Sequence, residues 1–110
     1  MREYEEIFAA AAKAAQEAGD ENEASGYFGG CGFAYVTFSG KRGFGNTKFA
    51  KWLKSNGAWN HYGSPGLDVS SNKFYNSGTQ SVVSRYNAAV AFAKVWQEAG
   101  YNCYAWDRLD

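Results

Sequence analysis

Branched aliphatic side chains are scarce in this sequence. Leu, Ile and Val together number ten in 110 residues, which excludes a core built mainly from them. There is one Pro, one His, one Met and two Cys. One His and two Cys do not furnish a convincing zinc set, and no metal or cofactor is expected. Formal net charge is zero, from 11 basic and 11 acidic residues, which excludes the global basicity of a protein that coats DNA. No stretch approaches the ~18 consecutive apolar residues that span a bilayer, so no membrane partner is expected. The first residues are acidic and amphipathic rather than basic then apolar, unlike a secretory leader. The expected setting is a reducing cytoplasm with both thiols free. Cys31 and Cys103 lie in strand-like segments and read as small core residues.

What the chain has instead is rings. Four Trp, eight Tyr and eight Phe must do much of the packing, with alanine filling the narrow places. So many rings exceed what one small core hides, so some Tyr or Trp is expected at the surface, where such residues are typical of contacts. The length is that of a single domain. Charge is unevenly spread: residues 1–23 hold seven acids and two bases, whereas residues 41–54 hold five bases and no acid. A chain polarised in this way is suited to self-association or to docking on a charged partner.

Periodicity gives the elements. Tyr4, Ile7, Phe8, Ala11, Ala15 and Ala18 share one face of a helix over 3–18, which Gly19 is expected to end. This helix either packs closely through its alanines or stands as a peripheral arm. Residues 19–30 read as a polar, glycine-rich loop. Residues 33–38 alternate as a strand, with Phe33, Tyr35 and Thr37 on one side and Ala34, Val36 and Phe38 on the other. Both sides are apolar enough for a central position. Thr47 is placed to cap a helix over 48–55, with Phe49, Trp52 and Leu53 inward and Lys48, Lys51 and Lys54 outward. Two short strands, 67–70 and 73–76, are expected about a Ser71-Asn72 turn. The longest helix covers 79–99, capped by Thr79 or Ser81, with Val82, Tyr86, Ala89, Val90, Ala93 and Trp96 as its core stripe and Gly100 ending it. A last strand covers 101–107. The resulting fold class is α+β, one domain, a small three- to four-stranded sheet packed with two to three helices as a two-layer sandwich.

The segment with most chemical content is Gly40 to Lys54. Gly40 to Thr47 nearly spells the phosphate loop G-x4-G-K-[ST], with a strand before it and a helix after it. Asn46 stands where the essential lysine would be, which argues against nucleotide hydrolysis. A weaker expectation survives. Glycines at 43 and 45 can let backbone N–H groups face an anion at a helix N-terminus. Lys41, Arg42, Gly43, Gly45, Asn46, Thr47, Lys48, Lys51 and Lys54, with the nearby rings of Trp59 and Tyr62, are the candidate binding residues. Interleaved cations and rings are what single-stranded nucleic acid needs. Residues 33–38 carry aromatics of the kind an RNA-recognition sheet uses, but the K/R-G-F/Y-G/A-F-V-x-F/Y consensus is not met. The bland alternative is a solvated turn and a solvated helix face.

Catalysis has little support. Cys31, His61 and Asp68 or Asp107 can be drawn as a thiol triad, but a nucleophilic Cys gains from a helix N-terminus, whereas Cys31 opens a strand. The carboxylates of the first helix face water by their spacing, so no paired acid–base site is suggested. No catalytic residue is assigned.

Five segments carry a resemblance: Cys31–Val36 (CGFAYV), Lys48–Lys54 (KFAKWLK), Gln80-Ser81, Ala91–Val95 (AFAKV) and Arg108–Asp110 (RLD). Together they resemble a group of small tailed-bacteriophage and prophage proteins, over roughly residues 31–110. The resemblance carries over no catalytic residue. It implies a non-enzymatic viral accessory protein in the cytoplasm of an infected bacterium. Such a protein binds a host protein or complex, for example to inhibit an antiviral defence. A nucleic-acid or nucleotide binder using the loop at 40–48 is the alternative, and a second copy of the chain is a further candidate partner.

Overall fold

The structure is a computed structural model and describes residues 2–27, 29–40, 42–61, 65–76 and 81–109. Among these, three α-helices and four strands follow in the order α1 (Arg2–Ser25), β1 (Gly32–Phe38), α2 (Lys48–Ser55), β2 (Trp59–Asn60), β3 (Leu67–Ser70), α3 (Val82–Glu98) and β4 (Cys103–Leu109). The sheet order is β2-β3-β1-β4, and every pair is antiparallel. From β1 onward this is β-α-β-β-α-β, the split βαβ connectivity, with α1 added in front. The expected α+β sandwich and the central place of β1 are both observed.

The period-2 pattern of β1 decides which face the helices cover. Ala34, Val36 and Phe38 are buried, and their cross-strand partners Val69, Leu67, Ala105 and Cys103 share that side. Over it lies an aromatic core. Phe38 meets Trp96 edge-on at 5.4 Å and Phe49 at 5.4 Å, and Phe92 stacks on Phe74 at 3.9 Å. Each such ring pair adds roughly 0.5–1.5 kcal/mol beyond the area it buries, which compensates for the missing aliphatics. Trp96 is wholly buried, and its indole N–H finds no hydrogen-bond acceptor among the described residues. Its ring neighbours are Phe38, Phe49, Trp52, Phe92 and Tyr101, whose π faces are weak acceptors.

α1 lies along α3, with Ala11, Ala15, Ala88 and Ala89 completely buried. Alanine's small side chain lets helix axes approach closely. Tyr4 and Phe8 extend the aromatic core to α2, with Tyr4 5.1 Å from Phe49 and Phe8 6.0 Å from Trp52. α1 is therefore a packed element, not a peripheral arm.

Three local expectations are corrected, and one of the two expected caps of α3 is observed. Gly19 does not end α1: the helix runs six residues further, and the end falls at Gly26, whose φ of +81° a side chain would resist. Gly19 is instead a notch, since a Cβ there would lie 2.3 Å from the Tyr75 ring. Residues 73–76 form no strand. Ser70 accepts from the Asn72 N–H and starts a 3-10 turn, after which Phe74 and Tyr75 turn into the core. The strand that pairs with β3 is β2, from the aromatic loop. Ser81 caps α3 by accepting from the Ser84 N–H, whereas Thr79 lies outside the described residues. Val90 is exposed, and Phe92 takes the core place assigned to it.

Candidate functional site

The basic segment folds as its sequence suggests but serves itself more than a ligand. Thr47 caps α2, its Oγ1 accepting from Ala50 N–H at 3.1 Å and donating to the Phe44 carbonyl at 2.8 Å. Gly43, at φ +89°, lets the preceding chain turn tightly. The N–H of Asn46 donates to the Gly43 carbonyl and that of Thr47 to the Phe44 carbonyl, each at 3.0 Å. These two amides therefore close the turn rather than face an anion. Gly40 makes room for the Phe44 ring, which a Cβ would meet at 2.4 Å.

Phe49, Ala50 and Leu53 anchor α2, and Arg42, Lys48, Lys51 and Lys54 are exposed. Lys54 bends back over the turn, its Nζ lying 3.6 Å from where a Cβ on Gly45 would stand. The three lysines therefore form an exposed strip at every third residue of α2, with Arg42 exposed in the turn before it. Lys41 and Tyr62 lie outside the described residues. Trp59 does not join the strip. It pairs with Asp68 across the sheet, on the face that α2 does not cover.

That second face holds an arrangement the sequence does not announce. Phe33, Tyr35 and Thr37 of β1 point there, with Asp68 from β3, Trp59 from β2, and Tyr104, Trp106 and Arg108 from β4. Thr37 and Asp68 are nonetheless buried, at 1 % and 5 % exposure, because the rings close over them. Thr37 Oγ1 donates to Asp68 Oδ1 at 2.6 Å and accepts from Trp106 Nε1 at 2.7 Å. His61 Nδ1 lies 2.8 and 3.0 Å from the two Asp68 oxygens. An ionised carboxylate can only accept, so the His61 proton sits on Nδ1 and Nε2 is left without a partner among the described residues.

The chain Trp106–Thr37–Asp68–His61 holds two rings in fixed orientation. Tyr35 stacks on Trp106 at 4.5 Å and 25°, and Trp59 stands edge-on to Tyr35 at 6.1 Å. His61 stands edge-on to Trp106 at 6.1 Å. Trp59 and Tyr104 are each 45 % exposed, so the rings cover the buried polar groups and remain reachable. The spacing of Phe33, Tyr35 and Thr37 already put those residues on one side. The register that brings Asp68 and Tyr104 beside Thr37 is set by chain segments far apart in sequence.

The drawn thiol triad does not assemble. His61 and Asp68 pair, but Cys31 precedes β1 and bridges to Ser81. It lies six strand positions from Thr37, roughly 20 Å at the rise of a strand. Cys31 is also exposed, contrary to its expected place in the core. Cys103 is buried as expected, and burial pushes its thiol up to about 12. The two cysteines are free and sit at opposite ends of β1. Among the described residues no three His, Cys, Asp or Glu side chains gather to hold a metal ion. Nor is any described helix long and apolar enough to cross a membrane.

The fold and these surfaces define a split βαβ sandwich with a cationic strip on one side and an uncovered, ring-lined sheet on the other. Comparison with protein-family models, with curated proteins and with solved structures returned no match.

Proposed function

We propose that this chain is a non-enzymatic accessory protein of the bacteriophage type, binding a host protein or complex in the infected cytoplasm. Inhibition of an antiviral defence is the role this reading favours. The observation that supports it is the strip formed by Arg42, Lys48, Lys51 and Lys54. Lys48, Lys51 and Lys54 stand on a helix whose other side is fixed in the core by Phe49 and Leu53. A rigid row of charge steers a partner of opposite sign and fixes its register. The dipolar charge distribution of the chain and the resemblance to phage proteins point the same way.

The test is recovery of partners from phage-infected host lysate with the wild type and with a K48E/K51E/K54E variant. Recovery of the same host protein with and without nuclease, lost in the variant, is the expected result. Equal recovery by the variant would remove α2 from the contact.

The alternative reading, phosphate or nucleic acid on the 40–48 loop, keeps the support of the same cations. It loses that of the Asn46 and Thr47 amides, which are spent inside the turn. Salt separates the two, because affinity for a phosphate backbone falls steeply as counterions are added.

A further inference from the structure

We infer that the uncovered face of the sheet is a binding site for single-stranded RNA, independent of the α2 strip and on the opposite side of the sandwich. The first support is the disposition of rings. Trp59, Tyr35 and Trp106 run from β2 across β1 to β4, with Tyr35 touching both of the others. Bases of a single strand stack on such side chains whatever their identity, because every base has a π face.

The second support is that the rings are pre-positioned. Trp106 is tied by its Nε1 to Thr37, and Thr37 is tied to the buried Asp68. Little side-chain freedom is then lost on binding, which is where flexible contacts give up affinity.

The third support is charge. The carboxylate on this face, Asp68, is buried and its oxygens are occupied by Thr37 and His61. Among the described residues two cations lie at the margin of this face: Arg108 is exposed on β4 next to Phe33, and Arg85 of α3, its Nη1 donating to the Gly32 carbonyl, sits over the Phe33 ring at 5.5 Å. A phosphate backbone therefore meets cations beside Phe33, which flanks the ring row along β1.

The choice of RNA over DNA rests on the polar groups set among the rings. The Nε2 of His61, without a partner among the described residues, and the hydroxyl of the exposed Tyr104 can pair with a ribose 2′-OH, which DNA lacks. An apolar protein partner would have no use for these groups.

The experiment is fluorescence anisotropy of a labelled oligouridylate of about twelve nucleotides, a length within the range such sites occupy, with the matching oligothymidylate in parallel. The full chain is compared with Trp59→Ala, Tyr104→Ala, Arg108→Ala and a Lys48/Lys51/Lys54→Gln triple variant. Both ring positions are exposed, and unchanged far-ultraviolet dichroism and melting temperature certify each fold. Trp59→Ala is expected to weaken RNA binding roughly five- to a hundredfold. Arg108→Ala should lower the salt slope by about 0.7. The α2 triple variant should bind RNA within about threefold of the wild type, since it changes only distant charge. DNA binding as tight as RNA, no binding of either, or loss of binding in the α2 variant with none in Trp59→Ala overturns the inference. The last outcome would leave the α2 reading standing, and failure of the lysate experiment would leave this one untouched.

Discussion

The two faces of the sheet solve the same problem by different means. On the covered face, Ala34, Val36 and Phe38 need only shape, because α2 and α3 bring Phe49, Phe92 and Trp96 onto them. On the uncovered face none of the described helices arrives. Tyr35 and Trp106 cover that side instead, and a chain of hydrogen bonds through Thr37 and Asp68 holds Trp106 down. Packing is non-directional and tolerates a volume-conserving change. A buried polar chain is directional, and breaking one member leaves others unpaired. The covered face should therefore fail through cavities, and the uncovered face through unpaired groups.

Five substitutions separate these modes, in falling order of effect. Trp96→Ala removes the ring at the centre of the covered side and should cost about 3–5 kcal/mol in a chemical denaturation measurement. A loss under about 1 kcal/mol would mean that the core is not organised around Trp96. Asp68→Ala strands the Thr37 hydroxyl and frees the imidazole, with an expected loss of about 1–3 kcal/mol. A nearly neutral result would show that the network contributes no order to the uncovered face. Trp106→Phe keeps an aromatic ring but deletes the N–H to Thr37, and should cost about 1 kcal/mol. The mobility of Tyr35, read by side-chain NMR relaxation, should rise with it.

Cys103 sharpens the comparison through pH. Its thiol lies on the covered side, raised by burial from 9.0 to about 12. A raised thiol pKa means that the folded state resists ionisation. The stability it contributes is whole below about pH 9 and falls as pH climbs toward 12. Replacing Cys103 with Ala should flatten the alkaline decline of stability relative to the wild type, and parallel curves would contradict the burial. The smallest effect is expected at Val90, which is exposed on α3. Val90→Ser should stay within about 0.5 kcal/mol of the wild type, although its spacing had placed it in the core.

What could be read in advance follows from how local each signal is. Thr47 as a cap, Ser81 as a cap, and Gly100 as a stop at φ +98° are decided by a few adjacent residues. So is the alternation that sends Phe33, Tyr35 and Thr37 one way. Gly19 misled because a helix can retain glycine where another ring needs the space, here that of Tyr75. The 73–76 strand failed because the Ser70 side chain offered the backbone a competing turn. The polar chain on the uncovered face was out of reach for a third reason. His61 and Asp68 were visible as a pair of residue types, but Thr37 and Trp106 complete it only through pairings 31 and 69 residues apart.

The way α1 is keyed into the sandwich has a practical consequence. The Tyr75 ring fills the notch at Gly19, and Gln16 exchanges two hydrogen bonds with the backbone of Asn76. The helix therefore cannot slide by a turn, and its first turn is pinned by Tyr4 beside Trp52 of α2. A purification tag fused ahead of α1 will leave the domain next to the lysine strip, whereas one fused after β4 will leave it beside Arg108. Affinities measured with the two fusions will differ for that reason alone, and each tag handicaps a different surface.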